Sequence, residues 1–175
     1  MYDSKSTSIS ELDLLFNSKR DAINKANVTP DARTRLLKQL QDEYDKWKKK
    51  IQDVTDVRNM PSAKSDALSA INAISVDKDV ADKAKADTNA AKTSAIDAIN
   101  KAAADKNREI DNADITPDAK TRLKAQVKTE QDNGIAAVNG ATTVADVNKK
   151  RDDAVGKINA ISVDKDVADK AKADT

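Results

Sequence analysis

The sequence contains no cysteine and no histidine. The first absence excludes a disulfide framework and thiol chemistry, and the second excludes the usual zinc sites and imidazole acid–base catalysis. Glycine and proline occur three times each, aromatic residues make up 2% of the chain, and no apolar run approaches a membrane span. The N-terminus also lacks the apolar segment of a signal peptide. We therefore expect no enzyme activity and no catalytic, cofactor-binding or metal-binding residues.

The charges of the chain nearly cancel. It has 31 basic and 30 acidic residues, which give a formal charge of +1. A nucleic-acid or anionic-membrane binder needs a basic field, so neither class of partner is expected. Charged residues make up 35% of the chain, which is superficially typical of disorder. The apolar residues nevertheless recur at helical spacing, and this pattern predicts an all-α protein with thin, alanine-rich cores.

An 18-residue block occurs twice without a change. INAISVDKDVADKAKADT runs over Ile71–Thr88 and again over Ile158–Thr175, an offset of 87. The same offset aligns VTPDARTRL at Val28–Leu36 with ITPDAKTRL at Ile115–Leu123. We interpret the chain as Met1 followed by two repeat units, 2–88 and 89–175, taken from a longer tandem array.

Each unit shows three helical stripes. In the second unit, Thr116–Asp118 supplies an N-cap, a first-turn proline and an acidic residue that together open the second helix. Gly140 is placed as its C-terminal cap, and Thr143 with Asp146 resembles a capping box for the third helix. The first stripe of this unit has apolar residues at spacings of three, four, seven and three: Ile96, Ile99, Ala103, Ile110 and Ala113.

The first unit follows the same plan over Ile9–Ala26, Leu36–Ile51 and Val57–Ile74, with Thr29 opening the second helix. Pro61 is expected to start or kink the third helix. Short loops make successive helices antiparallel. An odd number of helices leaves the two ends of a unit on opposite sides, so we expect three-helix bundles stacked end to end into a rod. We assign residues 2–76 to the first repeat, 77–161 to the second with its helical connector, and 162–175 to the start of a third.

The connector has two interpretations. The segment from Val76 to Ile115 contains neither glycine nor proline, and Ser75 or Asp77 can cap a helix there. One interpretation is a single helix of ~35 residues, or ~50 Å. The other is a break near Thr88, which could cap a fresh helix. The second copy of the connector has no following bundle in this chain, so its last dozen residues are expected to form a frayed or lattice-supported helix.

The two cores are unequal. The four aromatic residues and seven of the eight leucines lie in the first unit. Trp47 aligns with Gly134, and Phe16 aligns with Ala103. We expect the first unit to be an end cap or a divergent first repeat that melts at the higher temperature when the units are separated. The aromatic residues are Tyr2, Phe16, Tyr44 and Trp47.

Two charged segments have both a functional and a structural interpretation. Lys46–Lys50 (KWKKK) could contact an anionic surface, but we favour Trp47 packing inward on the Leu36–Leu40–Ile51 stripe with solvated lysines. A second set of acidic residues could suggest calcium, but it lacks the glycine and closing glutamate of a calcium loop, so we favour a charge-paired helical surface. These residues are Asp77, Asp79, Asp82 and Asp87.

Two asparagine motifs also have a structural interpretation. Asn27–Thr29 fits a glycosylation sequon, but its position favours a helix-capping turn. Asn133–Gly134 lies inside a predicted helix and is expected at most to kink it. Neither motif indicates chemistry.

Several motifs in order resemble a known repeat. AIDAI at Ala95–Ile99, TPDAK at Thr116–Lys120, ATTVADV at Ala141–Val147 and the closing INAI at Ile158–Ile161 resemble the alanine-rich three-helix tandem repeat of large Gram-positive cell-surface proteins. That repeat, domain of unknown function fifteen-forty-two, occurs in adhesins of the staphylococcal and lactobacillal type. The resemblance covers most of 92–161 and, more weakly, 9–74. It implies an extracellular, wall-attached parent, and it provides no catalytic residue to transfer.

The function expected from the sequence is a non-enzymatic stalk or spacer of a bacterial surface adhesin, monomeric and extended, that carries a distal binding region away from the wall. The alternative is a helical module that binds a host serum or matrix protein, or that mediates homophilic cell–cell aggregation. That alternative rests on analogy at the level of fold. Cofactors, nucleic acid and membrane insertion are not expected.

Overall fold

The computed structural model describes residues 2–175, with side chains from Asp3 onward, so the ring of Tyr2 lies outside the described part. The predicted all-α class is confirmed, and no strand occurs among residues 2–175. The chain divides into two compact units, the first ending at Lys83 and the second comprising Ala84–Thr175. Its elements are α1 (Tyr2–Lys25), α2 (Pro30–Gln52), a 3₁₀ turn (Val57–Asn59), α3 (Met60–Asn72), α4 (Asp77–Asn112), α5 (Pro117–Gly140), α6 (Val144–Asn159) and α7 (Asp164–Asp174).

Threonine hydroxyls open the helices at the predicted positions. The Thr29 side chain accepts a hydrogen bond from the Ala32 amide at 3.1 Å, and its counterpart Thr116 accepts one from the Ala119 amide at 3.1 Å. Thr143 accepts from the amide of Asp146 at 3.1 Å. Each bond satisfies an amide that has no partner within its own helix, and this local chemistry fixes where α2, α5 and α6 begin.

The first unit is a three-helix bundle in which α1, α2 and α3 all contact one another. Its stripes meet in a core of leucine, isoleucine and methionine, and the aromatic rings pack against its edge. Burial of these side chains is the main favourable term for the bundle. The core consists of Leu12, Ile23, Leu36, Leu40, Ile51, Met60, Ala67, Ile71 and Ile74.

The second unit repeats the plan with smaller side chains. Most of α4 packs with α5 and α6 around isoleucine, valine and alanine. Gly134 is buried, and a Cβ atom built on it would lie 2.5 Å from the Cβ of Ala154 and 3.4 Å from the Cδ1 of Ile99. The absence of a side chain therefore lets α5 approach α6 closely. α5 runs through Gly134 without interruption.

The third helices begin differently in the two units. α3 starts at Met60 with Pro61 as its second residue, which confirms that the proline starts the helix. Because Pro61 has no N–H, it cannot donate to the carbonyl of Val57, and the preceding residues form a 3₁₀ turn. In the second unit Asn148 takes the place of Pro61, and α6 is α-helical from Val144 onward.

The predicted cap at Gly140 is wrong. Gly140 is the last residue of α5, and the cap is Ala141, whose backbone is extended (φ −74°, ψ 146°). No described residue, glycine included, has a positive φ. Ala141 is buried in the core and its amide donates to the Val138 carbonyl at 3.1 Å. The chain therefore leaves the helix by burying Ala141, and no left-handed residue is needed.

The connector is one helix. α4 comprises 36 residues and passes Thr88 without a break, so the predicted continuous helix is confirmed and the break near Thr88 is not found. Thr88 is itself buried, and its hydroxyl donates to the Ala84 carbonyl at 2.9 Å. α4 supplies its first turns to the first unit and the rest to the second. None of the side chains of α7 is fully buried, and its fraying stays a prediction.

Candidate functional site

In the KWKKK segment, the ring of Trp47 contacts charged side chains of its own helix. Trp47 is half-buried against the core of the first unit, and its Nε1 donates to the Glu43 carboxylate at 3.0 Å. The ammonium groups of Lys46 and Lys50 lie 5.3 Å and 4.2 Å from the centre of its ring. The predicted inward packing of Trp47 is thus confirmed in part. The ring is only half-buried, and two lysine ammonium groups lie over it.

The other two described aromatic rings form a pair between α1 and α2. The centroids of Phe16 and Tyr44 are 4.5 Å apart, with the rings tilted by 40°. Arg20 lies 5.6 Å from the Phe16 centroid and Lys48 lies 5.6 Å from the Tyr44 centroid. The Tyr44 hydroxyl donates to the carboxylate of Asp13. The aromatic edge of this unit is therefore occupied by intramolecular contacts.

Tyr44 gives the first unit a pH-dependent stability. Desolvation, with the Asp13 hydrogen bond and charge as further causes, raises the pKa of Tyr44 from 10.0 to about 12. The folded state thus favours the neutral phenol, and this contribution is complete below pH 10 and is lost as the pH rises toward 12. We expect the unfolding free energy from urea titrations to fall more steeply over this range in the parent chain than in Tyr44→Phe. The lysines lose their protons over the same range in both proteins, so the difference between the two pH profiles reports Tyr44. Identical profiles would contradict a pH-dependent contribution from Tyr44.

Two acidic residues of the repeated block, Asp79 and Asp82, are paired with basic side chains. Asp82 accepts from Lys78 at 2.7 Å, and Asp79 forms an ion pair with Arg35. The hydrogen bond and charge of Asp82 raise the pKa of Lys78. These pairs agree with the predicted charge-paired surface. No group of three acidic side chains that could hold a metal ion occurs in the described part of the chain.

The ion pair of Asp79 is repeated in the second unit. Arg35 on α2 binds Asp79 in the first turn of α4, and Arg122 on α5 binds Asp166 in the first turn of α7. We call each of these pairs an exit latch, because it joins the second helix of a bundle to the helix that leaves that bundle. The arginine side chains are 56% and 52% exposed, whereas the aspartate side chains are only 18% and 17% exposed.

A short turn places each aspartate opposite its arginine. In the first unit, Ile74 is buried and Val76 packs against the core, so the chain crosses the end of the bundle before α4 begins. The Ser75 hydroxyl accepts from the Asp77 amide at 3.1 Å, and the Val80 amide donates to the Val76 carbonyl at 2.8 Å. The aspartates then lie at the positive end of the helix dipole, which favours their charge.

The second unit forms the same two hydrogen bonds in the equivalent turn. Ser162 accepts from the Asp164 amide at 3.1 Å, and the amide of Val167 donates to the Val163 carbonyl at 2.9 Å. A further ion pair joins Lys170 of α7 to Asp114 in the loop after α4, at 3.2 Å. The first turns of α7 are therefore attached to the second unit by both apolar and charged contacts.

The sequence analysis missed the latches and a second set of lysine contacts. Lys5 donates to the Gln52 carbonyl at 2.6 Å, and the equivalent Lys92 donates to the Asn139 carbonyl at 2.9 Å, each across the end of a neighbouring helix. Lys106 is almost fully buried and donates to the Asn159 carbonyl at 3.3 Å, at the negative end of α6. Identity at the offset of 87 residues was an available signal: the arginines, the aspartates and these lysines all recur at that offset.

The comparison with protein families agrees with this repeat geometry. A family model described as Domain of Unknown Function (DUF1542) matches residues 4–79 and 91–166. The resemblance to this repeat is thereby confirmed, in two tandem copies. Both matched ranges end on the aspartate of an exit latch. No curated protein and no solved structure matches the chain. Among residues 2–175, no helix is both long enough and apolar enough to cross a membrane.

Proposed function

The chain belongs to the DUF1542 family, a tandem-repeat family of Gram-positive surface proteins, and on this premise we propose that it is a non-enzymatic spacer segment of an extracellular adhesin. In this proposal the parent protein is attached to the bacterial cell wall, and the repeats carry its distal binding region away from the surface. The chain itself is a monomeric, extended segment of that stalk.

The observation that carries the proposal is the unbroken helix α4. It has 36 residues, or about 54 Å at 1.5 Å per residue. It begins as the helix that leaves one bundle and becomes the first helix of the next. Because each bundle has three antiparallel helices, the chain enters at one end and leaves at the other. Under the proposal, successive units joined in this way are expected to extend a chain.

The contacts of the aromatic residues favour a spacer over a binding module. Interfaces are typically anchored by buried aromatic and arginine side chains that fill a partner's pocket. In the first unit, Phe16, Tyr44 and Trp47 already contact each other, the core or their own lysine and arginine neighbours. The large apolar side chains most exposed in the described part of the chain are far apart in sequence and none is aromatic: Leu14, Val57 and Val144.

Small-angle X-ray scattering of the 175-residue chain tests the proposal. We expect an elongated particle whose pair-distance distribution has a long tail and does not depend on protein concentration. A compact particle with the two bundles side by side would falsify the spacer function. Dimers that grow with concentration would instead support homophilic aggregation, the principal alternative.

A further inference from the structure

The helix that leaves each bundle is bound back to that bundle by the same ion pair. Arg35 reaches Asp79 in the first unit, and Arg122 reaches Asp166 in the second, with a sequence separation of 44 in each case. Each arginine belongs to the TRL motif, and each aspartate belongs to the block that is identical in both units. Within each unit, the ion pair therefore joins the segment that opens the second helix directly to the 18-residue block.

The neighbouring charges of the same turn do not make this connection. Lys78 pairs with Asp82, and Lys165 pairs with Asp169, so both pairs lie within one helix. They stabilise helical turns but do not attach them to anything else. The turn also makes apolar contacts: Ile74 is buried and Val76 packs against the core of the first unit, and Ile161, Val163 and Val167 pack against the core of the second. These contacts fix the position of the turn against the core, and the ion pair adds a directional contact between the second helix of the bundle and the outgoing helix.

From this geometry we infer that the exit latch is a positioning device. It holds the first turn of the outgoing helix against the second helix of its own bundle, and thereby fixes the direction in which α4 leaves. The inference rests on the proposed spacer function, since the direction of the outgoing helix sets how straight an array of repeats is. Because the arginine is more than half exposed, the latch is open to screening by salt, and the stiffness of the joint falls as ionic strength rises.

A spin-label distance measurement tests the latch in the full chain. The absence of cysteine allows two introduced cysteines, at the exposed positions Asn17 on α1 and Ala86 on α4, to be labelled without side reactions. Asp79→Asn is expected to broaden the distance distribution between the labels. The matched control Asp82→Asn removes the same charge from the same helix but leaves the latch intact, and it should keep the parent distribution.

Two further variants separate the latch from a folding defect. Arg35→Gln removes the other partner from an exposed site and should broaden the distribution as Asp79→Asn does. The exchanged pair Arg35→Asp with Asp79→Arg should narrow it again. Circular dichroism of each variant checks that its helices are retained. The inference is overturned if Asp79→Asn and Arg35→Gln leave the distribution unchanged, or if Asp82→Asn broadens it equally.

Amide hydrogen exchange gives a second readout in unlabelled protein. Loss of the latch should reduce protection of residues 77–83 by about fivefold, which corresponds to about 1 kcal/mol, while the cores of both bundles keep theirs. Raising the salt concentration should act on the parent in the same direction and should have little effect on Asp79→Asn. If the parent chain is elongated in scattering but Asp79→Asn leaves the exchange of residues 77–83 unchanged, the role of the latch is contradicted and the spacer function is not. A compact particle would contradict the spacer function.

Discussion

Gly134→Ala is expected to destabilise the second unit by about 1–2 kcal/mol, although alanine is the better helix former. Helix propensity alone favours alanine over glycine by up to about 1 kcal/mol. The added methyl group, however, would lie 2.5 Å from the Cβ of Ala154, which is too close for two carbon atoms. α5 and α6 would have to separate, and overpacking of this kind costs about 1–3 kcal/mol. The steric cost therefore exceeds the gain in propensity.

Gly156 on α6 provides the matched control. A Cβ atom built on it has no heavy atom within 4 Å, so Gly156→Ala adds the same methyl group to a helix without a clash. We expect this variant to be more stable than the parent by about 0.5–1 kcal/mol. The two melting temperatures, measured by circular dichroism, should move in opposite directions. A stabilised Gly134→Ala would show that the close approach of α5 to α6 is unimportant.

The first unit is expected to remain folded when the second has already melted. At three equivalent core positions the first unit has the larger side chain: Leu40 aligns with Val127, Ile51 with Val138, and Met60 with Val147. The reverse holds at one buried position, where Val28 aligns with Ile115. The first three pairs differ by roughly one methylene-sized group each, which corresponds to about 2–3 kcal/mol in all, and the reverse pair offsets about a third of it. For bundles of this size the difference amounts to on the order of 10 °C in melting temperature.

The single tryptophan allows this prediction to be measured in the intact chain. Trp47 lies in the first unit, so its fluorescence reports that unit alone, whereas far-ultraviolet circular dichroism reports all the helices. On heating, the dichroism should show a first transition to which the fluorescence does not respond. Separately expressed units should melt in the same order. Coincident transitions, or a fluorescence change that comes first, would contradict the account.

Features that depend on local chemistry could be predicted from the sequence. A threonine before a helix caps it wherever the bundle lies, and Thr29, Thr116 and Thr143 all do so. Pro61 starts α3 for an equally local reason, because it lacks an amide hydrogen. The absence of glycine and proline in the connector favoured a continuous α4, and the structure excludes the alternative break near Thr88.

Features that depend on tertiary contact could not be predicted. Gly134 suggests a kink when only its own helix is considered, and its role appears only when Ala154 is placed opposite it. Gly140 suggested a left-handed cap, but the buried position of Ala141 decided the path of the chain instead. The partners of each exit latch are far apart in sequence, so their pairing requires the fold.

The central claim is that each repeat adds a fixed length to an extended chain. Small-angle scattering of chains carrying one, two and three additional copies of residues 89–175 tests it most directly. If each copy advances the chain by the length of a helix like α4, the maximum dimension should grow by about 50 Å per copy. A maximum dimension that levels off as copies are added, with bundles folding against one another, would contradict the account.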